Sequence, residues 1–173
     1  MVTRKAAALV AALTGAAVLA GCSVTPGVAA RTDDRSISQE RLEQTQRDLS
    51  TIVAEPEAGP VLLMLVVAPI YIEAAAENGV GVSEDEARTV IEQNAIQAGL
   101  DPVPEFGEGA VEVVRFTMAA QAVQGLEDAD EVFADIQEQV GALDLDINPR
   151  YGKLDTTQMS IAPEPLPWIV SQG

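Results

Sequence analysis

One apolar run constrains the fold of this 173-residue chain more than any other feature. Residues 61–72 are all apolar, Pro60 comes directly before them, and Asn78 with Gly79 closes the segment. Proline is well tolerated in the first turn of a helix, and Asn-Gly favours a left-handed C-cap, so the sequence predicts one long helix. A helix that is apolar on every side needs neighbours on every side. We therefore expect this helix to be the centre of the domain.

A membrane-spanning helix is the alternative interpretation of the same run. The 12 apolar residues are followed at once by Glu73, and they fall short of the roughly 20 that cross a bilayer. We favour the core helix, although an incompletely covered strip beside it would suit an extended polypeptide, with methionines as adaptable contacts. The candidate polypeptide-binding residues at this helix are Leu62, Met64 and Leu65, together with Met118 from a later helix.

Four further helices are predicted from apolar spacing and end signals. Ser38 is a candidate N-cap for the first, and Ser83 with Glu86 three residues later forms a predicted capping box for the third. The positions expected to face the core are Leu42, Thr45, Leu49 and Ile52 or Val53 in the first helix, Ala87, Val90, Ile91, Asn94, Ala95 and Ala98 in the third, Val111, Val114, Met118 and Gln121 or Ala122 in the fourth, and Val132, Phe133, Ile136, Val140 and Leu143 in the last.

The pattern becomes alternating after the last helix, which indicates a short strand. Leu143, Leu145 and Ile147 share one face, and the plausible partner strand lies near Val28. We therefore predict a mainly α fold: a five-helix domain around a central apolar helix, with a small two-stranded sheet joining the N- and C-terminal ends.

Charge and composition exclude several classes of function. The chain has 10 Lys and Arg and 27 Asp and Glu, and because Arg4 and Lys5 precede Cys22 the remainder carries a net charge of −19. Such a surface repels phosphate backbones, which argues against nucleic-acid binding. The sequence contains no histidine. Its acidic clusters fall in the predicted first turns of helices, where the helix dipole stabilises negative charge. We predict no enzyme activity, no cofactor and no metal.

The N-terminus resembles a bacterial lipoprotein signal. Arg4 and Lys5 precede an apolar run at residues 6–20, and Leu19-Ala20-Gly21-Cys22 ends it with the only cysteine of the chain. The resemblance implies cleavage after residue 21 and lipidation of Cys22. We accordingly predict a signal peptide at 1–21, a tether at 22–26, a helical domain at 27–155 and a Pro-rich tail at 156–173, with the domain held outside the cytoplasmic membrane by its lipid.

Two features near the C-terminus allow a structural and a functional interpretation. The turn at residues 148–152, NPRYG, fits a tight backbone turn that Arg150 and Tyr151 stabilise locally. Alternatively, Arg150, Tyr151 and Trp168 form part of a surface that receives a client or a partner subunit. Proline at 163, 165 and 167 excludes a regular helix or central strand there, so the tail is either disordered or laid across the domain with Trp168 as anchor.

The order of elements resembles the N-terminal helical domain of the SurA and PrsA type of extracytoplasmic foldase and chaperone. Four segments carry the resemblance: residues 28–38, the apolar helix at 61–72, the start of the third helix at 82–86, and the ending DINPRYGKLD at 146–155. The ending is similar to that of actinobacterial SurA N-terminal domain lipoproteins. Family members with isomerase activity carry a parvulin domain with active-site histidines. The resemblance therefore implies the chaperone-like part without the isomerase.

Three functions are consistent with these observations. The first is a lipid-anchored chaperone-like protein that binds unfolded or secreted polypeptides without catalysis. The second is a structural or accessory subunit that docks one dedicated cell-envelope partner. A small-ligand or metal carrier is disfavoured, because the sequence offers few convergent polar groups.

Overall fold

A computed structural model describes residues 26–155 and 158–162. Within them the helices are α1 (Gln39–Leu49), α2 (Ala58–Glu77), α3 (Glu84–Gln97), α4 (Glu108–Gln124) and α5 (Ala129–Ala142), and the strands are β1 (Val28–Arg31), β2 (Ser36–Ser38), β3 (Asp146–Ile147), β4 (Lys153–Asp155) and β5 (Ser160–Ala162). The mainly α class with five helices is as predicted. Cys22 and Trp168 lie outside the described residues, as do the predicted signal peptide and most of the tail.

Helix α2 is the centre of the described domain. It packs against α1, α4, α5 and strands β1 and β5, and its Leu62, Leu65 and Ala68 are completely buried. By length and composition alone it is also the one helix in the described part of the chain that could cross a membrane. A core helix passes the same test, and the packing of α2 against elements on several sides fits that role.

The helix starts follow local chemistry. Ser38 caps α1, because its side-chain oxygen accepts a hydrogen bond from the backbone N–H of Arg41. Ser83 and Glu86 form the predicted capping box at α3, with the Ser83 N–H donating to Glu86 Oε2 at 2.8 Å and the Glu86 N–H donating to Ser83 Oγ at 3.2 Å. The Ser83 hydroxyl, which donates to Glu86 Oε2 at 2.7 Å, and the Ser83 backbone N–H together lower the pKa of the Glu86 carboxyl.

A small antiparallel sheet joins the two ends of the helical domain. Strand β1 pairs with β3 through Ala30 opposite Ile147, which is the pairing predicted from the sequence. The returning strand β2 adds to the other edge of β1, so this sheet has the order β2-β1-β3. Strands β4 and β5 form a separate hairpin, and β5 lies against α2.

Candidate functional site

A half-open apolar cleft of about 460 Å³ lies beside α2, and we call it the methionine cleft. Its walls come from the turn after α1 and from α2, α3 and α4. Met64 and Met118, both predicted contacts, are brought together in it, and both are partly buried. The lining residues are Leu49, Ile52, Val53, Pro56, Glu57, Pro60, Val61, Met64, Val90, Asn94, Val113, Val114, Thr117, Met118 and Gln121.

The cleft exists because three elements turn part of their apolar surface away from the core. Helix α1 ends at Leu49, so Val53, expected near the core stripe, lies in a turn with 51% of its surface exposed. In α3 the buried positions are Ala87, Ile91 and Ala95. Its Val90 and Asn94, which were expected beside them, instead line the cleft.

In helix α4, too, some of the residues predicted to face the core line the cleft instead. Gly109, Ala110, Val111, Val113, Ala119 and Val123 are its buried residues. Of the predicted stripe, Val111 is in the core, whereas Val114, Met118 and Gln121 line the cleft. The apolar stripe on α4 is therefore wider than its neighbours cover, and the uncovered edge forms one wall of the methionine cleft.

A second apolar cleft of about 300 Å³ lies on the other side of Pro60 and Met64, and we call it the tyrosine cleft. Tyr71 packs edge to face on Phe116, with ring centroids 4.9 Å apart, and burial raises the pKa of its hydroxyl. Met159 and the β5 residues Ser160 and Ile161 close one side. The two clefts share Pro60 and Met64 as a common wall.

Two of the predicted contact residues belong to the core instead. Leu62 and Leu65 are completely buried on α2. Neither side chain can contact a bound polypeptide in this structure, so the binding role predicted for them is wrong. The apolar run carried no signal to separate its core side from its cleft side, because every position in it is apolar.

Arg150 and Tyr151 lie away from both clefts, in the turn after β3. Asn148 holds this turn to β1, with its backbone N–H donating to the Ala29 carbonyl at 2.9 Å and its side-chain amide donating to the Val28 carbonyl at 3.1 Å. The Arg150 guanidinium lies 5.3 Å from the centre of the Tyr151 ring. The geometry fits the local structural interpretation of this turn, and neither residue lines the methionine or the tyrosine cleft.

A more polar cleft of about 530 Å³ lies along another side of α2. Arg41 and Arg115 line it together with Glu73, Glu84, Glu108 and Glu112. The two guanidinium groups are already engaged, Arg41 by Glu112 and Arg115 by the Val82 carbonyl at 2.6 Å. These charges hold elements of the domain together, so we do not assign this cleft a ligand.

The described residues contain no group of three or more His, Cys, Asp or Glu placed to hold a metal ion. Searches against protein-family models, curated proteins and solved structures found no match for this chain.

Proposed function

We propose that this chain is a membrane-anchored, extracytoplasmic chaperone-like protein that binds unfolded or secreted polypeptides without catalysis. The observation that carries the proposal is the methionine cleft, an apolar groove left open on a strongly acidic domain. Large uncovered apolar surface is uncommon on soluble domains unless it receives a ligand or partner. The resemblance of the element order to the SurA and PrsA type of chaperone domain supports the same class of function.

The chemistry of the cleft suits clients of varied sequence. Its volume of about 460 Å³ accommodates a few side chains, and methionine side chains adapt to different apolar shapes. The shared wall of Pro60 and Met64 separates it from the tyrosine cleft. An extended client could therefore place apolar side chains on both sides of that wall, since side chains two residues apart in an extended chain are separated by about 7 Å.

The anchor is part of the proposal. Cys22 carries the lipid, and the described domain begins at Pro26, so only a few residues separate the two. The net charge of −19 beyond the leader would repel anionic headgroups. Membrane attachment through Cys22 therefore depends on acyl chains rather than on the protein surface.

The proposal predicts that residues 23–173 suppress light scattering from reduced, aggregating insulin. Removing residues 1–22 leaves every described residue in place. Val53→Glu puts a charge at the mouth of the methionine cleft, at a side chain that is 51% exposed, and should weaken suppression several-fold. Ile96→Glu is the matched control, because Ile96 is 61% exposed and does not line that cleft. It should leave suppression unchanged.

Circular dichroism first establishes that each variant is folded. If the folded wild-type protein fails to suppress scattering at several-fold molar excess, a general holdase function is excluded. A pull-down that yields one stoichiometric envelope partner would then favour the accessory-subunit function. If Val53→Glu and Ile96→Glu change suppression equally, the methionine cleft is not the site at which the protein binds its clients.

A further inference from the structure

Strand β5 brings the chain to one side of the tyrosine cleft, next to the wall that the two clefts share. Its Ile161 carbonyl oxygen lies so close to Gly59 that a Cβ added at Gly59 would be 2.6 Å from it. Pro60, the next residue of α2, lines both the methionine and the tyrosine cleft. The described chain stops at Ala162. Residues 163–173 therefore continue from a point beside the wall that the two clefts share.

The length of this segment is sufficient to reach the methionine cleft. Trp168 lies six positions beyond Ala162, and six steps of a polyproline II conformation span about 19 Å. Pro60 and Met64 are about 6 Å apart along the axis of α2. The chain from Ala162 to Trp168 is therefore longer than the shared wall, and Trp168 can reach the methionine cleft.

The chemistry of the segment fits the cleft. The sequence from residue 163 is PEPLPWIVSQG, with an apolar cluster at 166, 168, 169 and 170. A tryptophan ring buries about 150–250 Å² and needs an acceptor for its N–H. Asn94 and Gln121, whose side-chain amides each carry an acceptor oxygen, line the methionine cleft. Prolines at alternate positions lower the conformational entropy that the segment loses on binding.

We propose that residues 163–173 bind in the methionine cleft of their own domain, with the Trp168 ring against Met64 and Met118. Intramolecular attachment gives the segment a high effective concentration at the cleft. The segment thus covers apolar surface when no client is present. A further consequence rests on the proposed function: a polypeptide client must displace this segment to bind.

Trp168 is the only tryptophan in the chain, so its fluorescence reports on this contact directly. In residues 23–173 we expect its emission to be blue-shifted relative to the denatured protein and its quenching by acrylamide to be slow. Val53→Glu should move the emission towards the denatured value and raise the quenching constant several-fold. Ile96→Glu, at a residue that does not line the cleft, should change neither quantity. Far-UV circular dichroism confirms that both variants are folded.

Solvent-like emission from the folded wild-type protein would overturn the inference. Blue-shifted emission that Val53→Glu leaves unchanged would also overturn it, because Trp168 would then bind elsewhere. Client competition is measured separately, by comparing aggregation suppression by residues 23–162 and 23–173. The shorter form, which retains β5, should act at a lower molar ratio. If Trp168 is buried in the cleft and neither form suppresses aggregation, the contact stands and the chaperone function fails.

Discussion

Glu112 binds two guanidinium groups that come from distant parts of the sequence. Its carboxylate accepts from both terminal nitrogens of Arg35 at 2.8 and 3.2 Å, and from Arg41 Nη2 at 2.8 Å. Arg35 lies in the turn between β1 and β2, and Arg41 lies in α1. With 17% of its side chain exposed, Glu112 ties the sheet and α1 to α4 through charge-assisted hydrogen bonds.

Glu112→Gln should destabilise the domain by about 1–3 kcal/mol, because it removes the carboxylate that two partly buried arginines share. Glu108→Gln is the matched control on the same helix. Glu108 lies 3.6 Å from Arg41 Nη1 and its side chain is 84% exposed, so its loss should cost less than about 0.5 kcal/mol. Urea unfolding of residues 23–173 measures both changes.

Equal losses for the two variants would contradict this assignment. They would mean that the exposed pair contributes as much as the enclosed one. Raising the salt concentration gives a second check, because screening acts more strongly on exposed charges than on enclosed ones. The loss on Glu112→Gln should therefore persist in salt.

At the scale of the helices, α1 and α4 approach each other closely at Gly109. The buried Thr45 hydroxyl donates to the Arg41 carbonyl at 2.8 Å and fills the space over Gly109. A Cβ added at Gly109 would overlap Thr45 Oγ1. A glycine in the first turn of α4 is therefore a packing requirement.

Gly109→Ala should destabilise the domain by about 1–3 kcal/mol, since α1 and α4 must move apart. Gly141→Ala in α5 is the control, because a Cβ added there meets no atom within 4 Å. That change should stabilise the domain by about 0.5–1 kcal/mol through helix propensity. Thermal and urea unfolding compare the two; a neutral Gly109→Ala would refute the close α1–α4 contact.

Some features of the helices were predictable from the sequence, and others were not. The Ser38 and Ser83 caps were predictable because a side chain and a backbone N–H within three residues determine each one. The core faces of α3 and α4 were predicted only in part. Val114 and Met118 have core-like spacing, yet they line the methionine cleft. Which edge of an apolar stripe is covered depends on distant elements, and spacing along one helix does not contain that information.

At the scale of the whole molecule, some features were again predictable from the sequence and others were not. The pairing of β1 with β3 was predictable, since each end of the domain offered one short strand in need of a partner. The candidate site was predicted in part, through Met64 and Met118. The contributions of Val53 and Val90 were missed, because the end of α1 and the rotation of α3 are set by tertiary packing. The hairpin of β4 and β5, which crosses the predicted boundary at residue 155, gave no periodic signal.

The proposed attachment to the membrane concerns the whole chain, and it predicts a defined covalent product. In a bacterium that processes lipoproteins, the mature protein should lack residues 1–21 and incorporate labelled fatty acid at Cys22. Cys22→Ala should lose the label and keep residues 1–21, because cleavage follows lipidation. Ser23→Ala, one residue further on, should behave as wild type. Mass spectrometry of the purified protein measures both modifications.

The lipid-anchor prediction is independent of the proposals for the two clefts. Wild-type protein that keeps residues 1–21, or that carries no fatty acid, would refute it while leaving the fold and the methionine cleft intact. If it holds, residues 23–25 place Pro26 within about 13 Å of the lipidated residue. The acidic domain would then stand directly above the membrane, close to polypeptides that emerge there.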